Sequence, residues 1–450
     1  MHFKKLLLLS LFLFSLGTLS SCTIDDRTTI TLIGEDSSTI QSIDALKDEY
    51  EVISDLNIDV LGYTFEESFE RTNVDFASGT GRYDIVLQYN FSLSSFVRND
   101  YVYALAELRE GRSDSLFYFE DDLFRNDWEE VGFYFSDPVE RTDDIEAVGY
   151  PFASNTMVLA YNKEMFSNED NQQLYREQFE KELAPPTDWN DYLNIARFFT
   201  SEQDNTYGVT MHGSAFGWLY YEWVNYAFGM GGGVMEKERA WQGDENTEVT
   251  INSPENIAAT QLFVDLRPYN KGNFFDVDMN MQAQLFFEGN VAMAIMWSDV
   301  IYSNIANEDG SFDDRFGFTV IPGEISSLAG GSFFINRDSD HPDEAFDFIL
   351  WLLQKDNQIE MTKRGLCSPR KSVYDDPAVA HIPYLPAVKE SLERGVYTME
   401  AGPDASLISE TISEFVQRAW RGELSVEEAL NSAQRQVDNQ RPEVFRAIRN

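Results

Sequence analysis

The side chains in this sequence that could do chemistry are mostly carboxylates and aromatic rings. Asp and Glu number 77 against 34 Lys and Arg, and aromatics make up 14% of the chain. The histidines are His2, His212, His341 and His381, with no close pair, so no zinc site is expected, and neither H-E-x-x-H nor paired C-x-x-C occurs. No G-x-S-x-G elbow and no G-x-G-x-x-G after a strand is present. "NEDGSFDD" has acids without the length of a calcium loop. No catalytic residue, metal or cofactor is therefore expected. Rings and acids together suit a neutral, hydroxyl-rich ligand: aromatic faces cover the C–H faces of a pyranose, and carboxylates or amides fix its hydroxyls. A glycosidase would use the same groups, because two acids apart in space leave no sequence signature. A secreted, lipid-anchored glycoside hydrolase is accordingly the alternative reading.

Certain of these groups fall where elements should end. "TITLIGEDS" (29–37) reads as a strand closing on Glu35 and Asp36, and "RYDIVLQYN" (82–90) as one closing on Tyr89 and Asn90. "IDVLGY" (58–63) is a further strand, with a helix between on the spacing of Ile40, Ile43, Leu46 and Tyr50. Strand, helix, strand predicts parallel βαβ units, in which ligands sit beyond the carboxyl ends of the strands. Each of the four residues taken alone is more often a turn or cap residue.

"FGWLYYEWVNYAFGMGGG" (216–233) sets Trp218, Tyr221, Glu222 and Trp223 before a glycine-rich tight loop. Its aromatics read equally as helix core, since Trp218, Tyr221 and Val224 recur every three residues. "PPTDWNDYLNIARFF" predicts a helix capped by Thr187, with Trp189 plugging its start. "LFFEGNVAMAIMWSD" (285–299) predicts a buried strand over Val291–Met296 that breaks off at Trp297, Ser298 and Asp299, with "FGFTVIPG" (316–323) as its neighbour. A glycine pair, Gly330 and Gly331, precedes a strand over 332–336, and Ser425 with Glu428 forms a capping box.

With 450 residues, two lobes are expected. A net charge of -43 repels nucleic acid and anionic lipid, argues against nucleic acid as a partner and disfavours phosphate-rich ligands. Most of that charge is expected on a solvated surface. The N-terminus, "MHFKKLLLLSLFLFSLGTLSSC", sets Lys4 and Lys5 before an apolar run and small residues, the layout of a signal peptide over 1–21. The run is about 11 residues, against roughly 20 for a membrane-spanning helix. Leu19 to Cys22 resembles a bacterial lipobox, which implies cleavage before Cys22, lipid on its thiol and a polar tether over 22–28. Cys367 is then the one remaining thiol and reads as a small buried hydrophobe.

Seven segments in order, "YDIVLQYN", "GYPFASNTMVLAYNKEMF", "PPTDWNDYLNIARFF", "FFEGNVAMAIMWSD", "LAGGSFFINRDSDHPDEAFDFILWLL", "GLCSPRKSVYDDP" and "GELSVEEALNSAQ", resemble the extracellular solute-binding proteins of bacterial ABC importers. The resemblance is to their sugar-binding group, which includes maltose-binding protein, and it covers nearly the whole mature chain. It implies a two-lobed α/β fold that closes by a hinge, each lobe a mostly parallel sheet flanked by helices. Lobe I would hold 29–146 and 332–380, lobe II 153–329 and 385–450, with crossings at 147–152, 330–331 and 381–384.

It further implies a monomer that binds a neutral mono- or oligosaccharide between its lobes and docks on the transmembrane subunits of a permease. Trp297 resembles the aromatic presented to the sugar. Glu35, Asp36, Tyr89 and Asn90 match its strand-end loops; Tyr221, Glu222 and Trp223 match its cleft wall; Gly330 and Gly331 match its close-approach crossing. Maltose-binding protein has a lysine where Asp36 stands, and a tryptophan with a charged pair where Gln88, Tyr89 and Asn90 stand, so its specificity does not carry over.

Overall fold

The computed structural model describes residues 27–137, 144–214, 218–235, 245–323, 325–397 and 401–448. The leader, the lipobox and Cys22 lie outside the described residues, as does the Trp218 side chain. Eleven strands are described: β1 (Thr29–Glu35), β2 (Asn57–Tyr63), β3 (Ile85–Tyr89), β4 (Phe133–Phe135), β5 (Ile145–Ala147), β6 (Tyr150–Asn162), β7 (Tyr207–Val209), β8 (Val291–Trp297), β9 (Phe316–Thr319), β10 (Ser326–Ile335) and β11 (Val396–Tyr397). The helices that matter below are α1 (Ser38–Ser54), α2 (Phe65–Ser78), α3 (Arg125–Gly132), α4 (Trp189–Phe199), α5 (Trp218–Gly229), α6 (Pro254–Asp265), α7 (Met279–Phe287), α8 (Pro342–Leu352), α9 (Leu385–Arg394), α10 (Ala405–Trp420) and α11 (Val426–Ile448).

One mixed sheet runs β2-β1-β3-β10-β6-β8-β7 among the described residues, with β9 added to β6 and β11 to β10. The parallel pairings that the strand, helix, strand alternation predicts occur at the two ends, β1 with β2 and β3, and β7 with β8. The middle is antiparallel, because β6 and β10 run the length of the join: β10 pairs β3 through Gly331–Ile335 and β6 through Leu328–Phe333. β6 then passes on to β8 through Met157–Tyr161. The neighbour of β9 is therefore β6, not β8. An apolar run can show that a strand is buried, yet it cannot choose between two equally apolar partners.

Two large cores flank the join. Ile30, Leu32, Ile43, Leu46, Ile85 and Phe346 pack α1 and α8 on one end of the sheet, while Leu159, Trp189, Tyr192, Trp223, Phe263, Ile412 and Leu430 gather α4–α6, α10 and α11 on the other. Leu385, Val388 and Leu392 of α9 join Val158 and Ala160 of β6. Local chemistry agrees with this plan. Thr64 accepts from the Glu67 amide at 3.2 Å to cap α2, and Gly79 closes that helix at φ +60°. The cap of α4 is Asp188, accepting from the Asp191 amide at 2.8 Å, one residue beyond the expected Thr187. Trp189 plugs the helix start, its indole donating to the Gly229 carbonyl at 3.0 Å. Ser425 and Glu428 make the reciprocal box expected of them.

Candidate binding cleft

A cleft of about 760 Å³ opens where the strand ends of both halves converge. Its first wall grows from β1, β3 and α2. Because β1 and β3 run parallel, with Ile33 level with Val86, their last residues emerge side by side. The Tyr89 hydroxyl donates to Glu35 Oε2 at 2.5 Å, which ties the two strand ends together. Phe65 and Phe69 lie four apart on α2 and so share a face. Phe65 reaches Tyr89 at 5.7 Å between centroids, Phe69 reaches Phe91 at 5.6 Å, and Tyr89 stacks on Phe91 at 6.3 Å and 14°.

The second wall starts at the end of β8. Trp297 pairs with Met157 across the sheet, is 3% exposed, and meets the Tyr221 ring edge-on at 6.0 Å and 76°. The chain then turns, and Asp299 accepts from Asn155 Nδ2 of β6 at 3.3 Å. α10 closes this wall with Ser406, Ser409, Glu410, Ser413, Glu414 and Gln417 along one face. Its opposite face, Ile408, Ile412, Phe415 and Val416, is core. The helix is held in place by Asp404, just before it, which takes Arg441 Nε of α11 at 2.5 Å. Leu328, Ala329 and Gly330 of β10 form the floor.

The electrostatics are one-signed. Glu35, Glu66, Asp299, Glu410 and Glu414 line the cleft, and no Lys, Arg or His does so among the described residues. Burial pushes the Glu35 carboxyl up to about 7, with the Tyr89 hydrogen bond opposing the shift and the charge of Asp299 adding to it. Burial likewise raises Asp299 to about 6. No group of three or more His, Cys, Asp or Glu among the described residues could hold a metal ion, and no described helix is long and apolar enough to cross a membrane.

Of the residues singled out by sequence, the cleft gathers Glu35, Tyr89, Asn90, Tyr221, Trp297, Asp299 and Gly330. Asp36 is exposed beyond it, accepting from Gln41 Nε2 at 3.1 Å as a helix-start residue does. Gly331 sits at a bulge in β10, against the Gln88 carbonyl and the Phe152 ring. Glu222 and Trp223 follow Tyr221 on α5, and each helical step turns the side chain by about 100°. Both therefore point into the core: Trp223 is fully buried with its indole donating to Thr260 Oγ1 at 2.8 Å. Sequence reasoning missed Phe65, Phe69, Phe91 and the α10 face. The signals available were the i, i+4 phenylalanines of α2 and the serines of "ASLISETISEFVQ", which fall opposite an apolar stripe.

Glu222 lies beneath the wall, with Oε2 3.2 Å from His212 Nε2 and Oε1 accepting from Tyr226 at 3.3 Å, beside Tyr192 and Gln282. Burial raises its carboxyl from 4.5 to about 8. The folded protein thus keeps a proton that the unfolded chain releases above pH 4.5. Stability is expected to fall as pH rises from about 4.5 to about 8, and to level above that. Glu35, Asp127 and Asp299 act in the same direction. Unfolding midpoints taken between pH 5 and 9 should drop less steeply in Glu222→Gln than in the parent; equal slopes would place the titrating group elsewhere.

The family model described as "Bacterial extracellular solute-binding protein" matches residues 45–387. Among solved structures, the fold resembles an ABC transporter solute-binding protein from Agrobacterium radiobacter K84 in complex with ribitol, at TM-score 0.73 and 22% identity, covering 90% of this chain and 97% of that one. Maltose-bound T. maritima MalE3 aligns at TM-score 0.72 and 18% identity, covering 92% and 99%. A Thermotoga lettingae ABC transporter solute-binding protein bound with α-D-tagatose aligns at 0.71 and 19%, covering 93% and 100%.

Proposed function

We propose, from the premise that the chain belongs to the bacterial extracellular solute-binding protein family, that it captures a mono- or oligosaccharide in the cleft and delivers it to the permease of an ABC importer. Membership of that family puts its work outside the cytoplasm. The observation that carries the sugar reading is the pairing of two aromatic walls, Tyr89 with Phe91 and Tyr221 with Trp297, around carboxylates and the α10 serines. Rings cover the apolar faces of a sugar while acceptors and hydroxyls match its rim. The ribitol-, maltose- and tagatose-bound relatives agree with that chemistry.

In this reading the sugar bears no anionic group, since five carboxylates line the cleft and would repel one. Lobes 29–146 with 332–380 and 153–329 with 385–450 close on it about crossings 147–152, 330–331 and 381–384. Lipid on Cys22 tethers the protein, a monomer, to the membrane, and it performs no catalysis.

Thermal unfolding against a panel of mono- and oligosaccharides tests this, with amino acids, peptides and polyamines as controls. A ligand that binds only the folded state adds about 2.7 kcal/mol at a hundredfold excess over its Kd. The expected outcome is a raised midpoint with one sugar class and an affinity about 30-fold weaker in Trp297→Ala. A shift with a control ligand and no sugar would overturn the substrate reading, and sustained release from chromogenic glycosides would overturn the absence of catalysis.

A further inference from the structure

The cleft charges fall into two kinds. Glu66, Glu410 and Glu414 are exposed, and a chain of net charge -43 would place such residues on any rim. Glu35 and Asp299 are different. Both are half-buried in the cleft beside the two aromatic walls, and the charge of Asp299 helps to raise the Glu35 carboxyl. Tyr89 donates a hydrogen bond to Glu35, while Asp299 accepts from Asn155 and from the backbone amides of Asp299 and Val300. Among the described residues no basic side chain lines the cleft to balance them. Acids drawn from water without a counter-charge either keep a proton or stay charged at a cost, and a neutral sugar would leave them in that state as it displaced the remaining water. An ammonium group would offset that cost through charge-assisted hydrogen bonds, and the rings around it would add cation–π attraction.

We propose that the ligand is a sugar carrying a protonated amine, the ammonium held between Glu35 and Asp299 while the sugar rings lie against Tyr89, Phe91, Tyr221 and Trp297. The proposal rests on the sugar reading and specifies its charge. It replaces the neutral ligand that the sequence suggested with a cationic one. The groups facing Glu35 are Tyr89, Asp299, Glu66 and Asp36, all acids or a phenol. Its carboxyl, raised to about 7, should therefore give up a proton when the ammonium arrives.

The test is calorimetry on the purified protein at pH 7, with D-glucose, D-glucosamine, N-acetyl-D-glucosamine and D-glucuronate. The galacto and manno series and the corresponding short oligomers complete the set, with spermidine as a cation that is not a sugar. The amine form of one series is expected to bind at least tenfold tighter than its hydroxyl parent and its N-acetyl form, and the uronate not to bind. Repeating the titration in buffers of different ionisation enthalpy should show proton release with the amine and none with the hydroxyl parent. Asp299→Asn is expected to abolish the tenfold preference. Glu35→Gln, on the opposite wall and still able to accept from Tyr89, should abolish the proton release, and it serves alone if Asp299→Asn does not fold. A hydroxyl parent that binds as tightly as its amine overturns the cationic proposal and leaves the sugar reading standing. Binding of spermidine alone, or of nothing in the set, overturns both.

Discussion

Trp223→Ala is expected to lower the unfolding free energy by about 4 kcal/mol, the scale for truncating a large core aromatic. Trp223 is fully buried among the helices of the second core. Its indole N–H donates to Thr260 Oγ1 at 2.8 Å, and the Thr260 hydroxyl donates onward to the Asn256 carbonyl at 2.7 Å. Truncation would open a cavity and leave the Thr260 oxygen without its donor, so transfer, cavity and hydrogen-bond losses act together. Trp223→Phe keeps most of the volume and should cost about 2 kcal/mol or less. Denaturant unfolding of the two variants checks this. A Trp223→Ala protein of parental stability and weakened ligand affinity would instead put the indole in the cleft, where sequence matching alone would have it. The pair Trp223 and Trp297 thus separates a packing tryptophan from the one proposed to contact the ligand by which property each substitution changes.

Gly331→Ala should destabilise by about 3 kcal/mol, near the upper end for overpacking a tight site. A Cβ at this position would lie 2.5 Å from the Gln88 carbonyl oxygen and 2.6 Å from Phe152 Cε1. The first of these is backbone on β3, to which β10 is hydrogen-bonded along the next four residues. Relief therefore requires prising β10 from β3 at the join of the two halves, and not merely turning a side chain. Gly233→Ala is the control: its nearest neighbour would be 3.7 Å away, and the change should stay within about 0.5 kcal/mol. Equal midpoints for the two variants would mean that β10 yields at Gly331 and that the close approach there carries no energetic weight.

Some of the site was legible because it is written locally. A strand that ends in Glu35, another that ends in Tyr89 and Asn90, and a fully apolar run that stops at Trp297 can each be read within about ten residues. Strand ends in such sheets are where ligands sit. Phe65 and Phe69 were equally local, as an i, i+4 pair on a helix face. They were missed because a helix also needs apolar pairs for its core, and spacing does not say which side is buried. The α10 serines were hidden for the complementary reason, since a polar face beside an apolar stripe reads as solvent-exposed until another wall stands opposite it.

By itself the sequence determined the elements, the order of the solute-binding motifs, the acidity and the lack of the common catalytic and metal motifs. These depend on hydrogen-bonding periodicity, cap chemistry and charge, which act over a few residues. Only the tertiary structure decided that β6 and β10 join the halves in one sheet, that Tyr221 faces the cleft while Glu222 and Trp223 face the core, and that Glu35 and Asp299 line one cleft with no basic side chain among its described residues. Those outcomes depend on contacts between residues up to about 260 positions apart in the chain. There the competition for burial among equally apolar surfaces is settled by which shapes pack together without voids or unpaired polar groups.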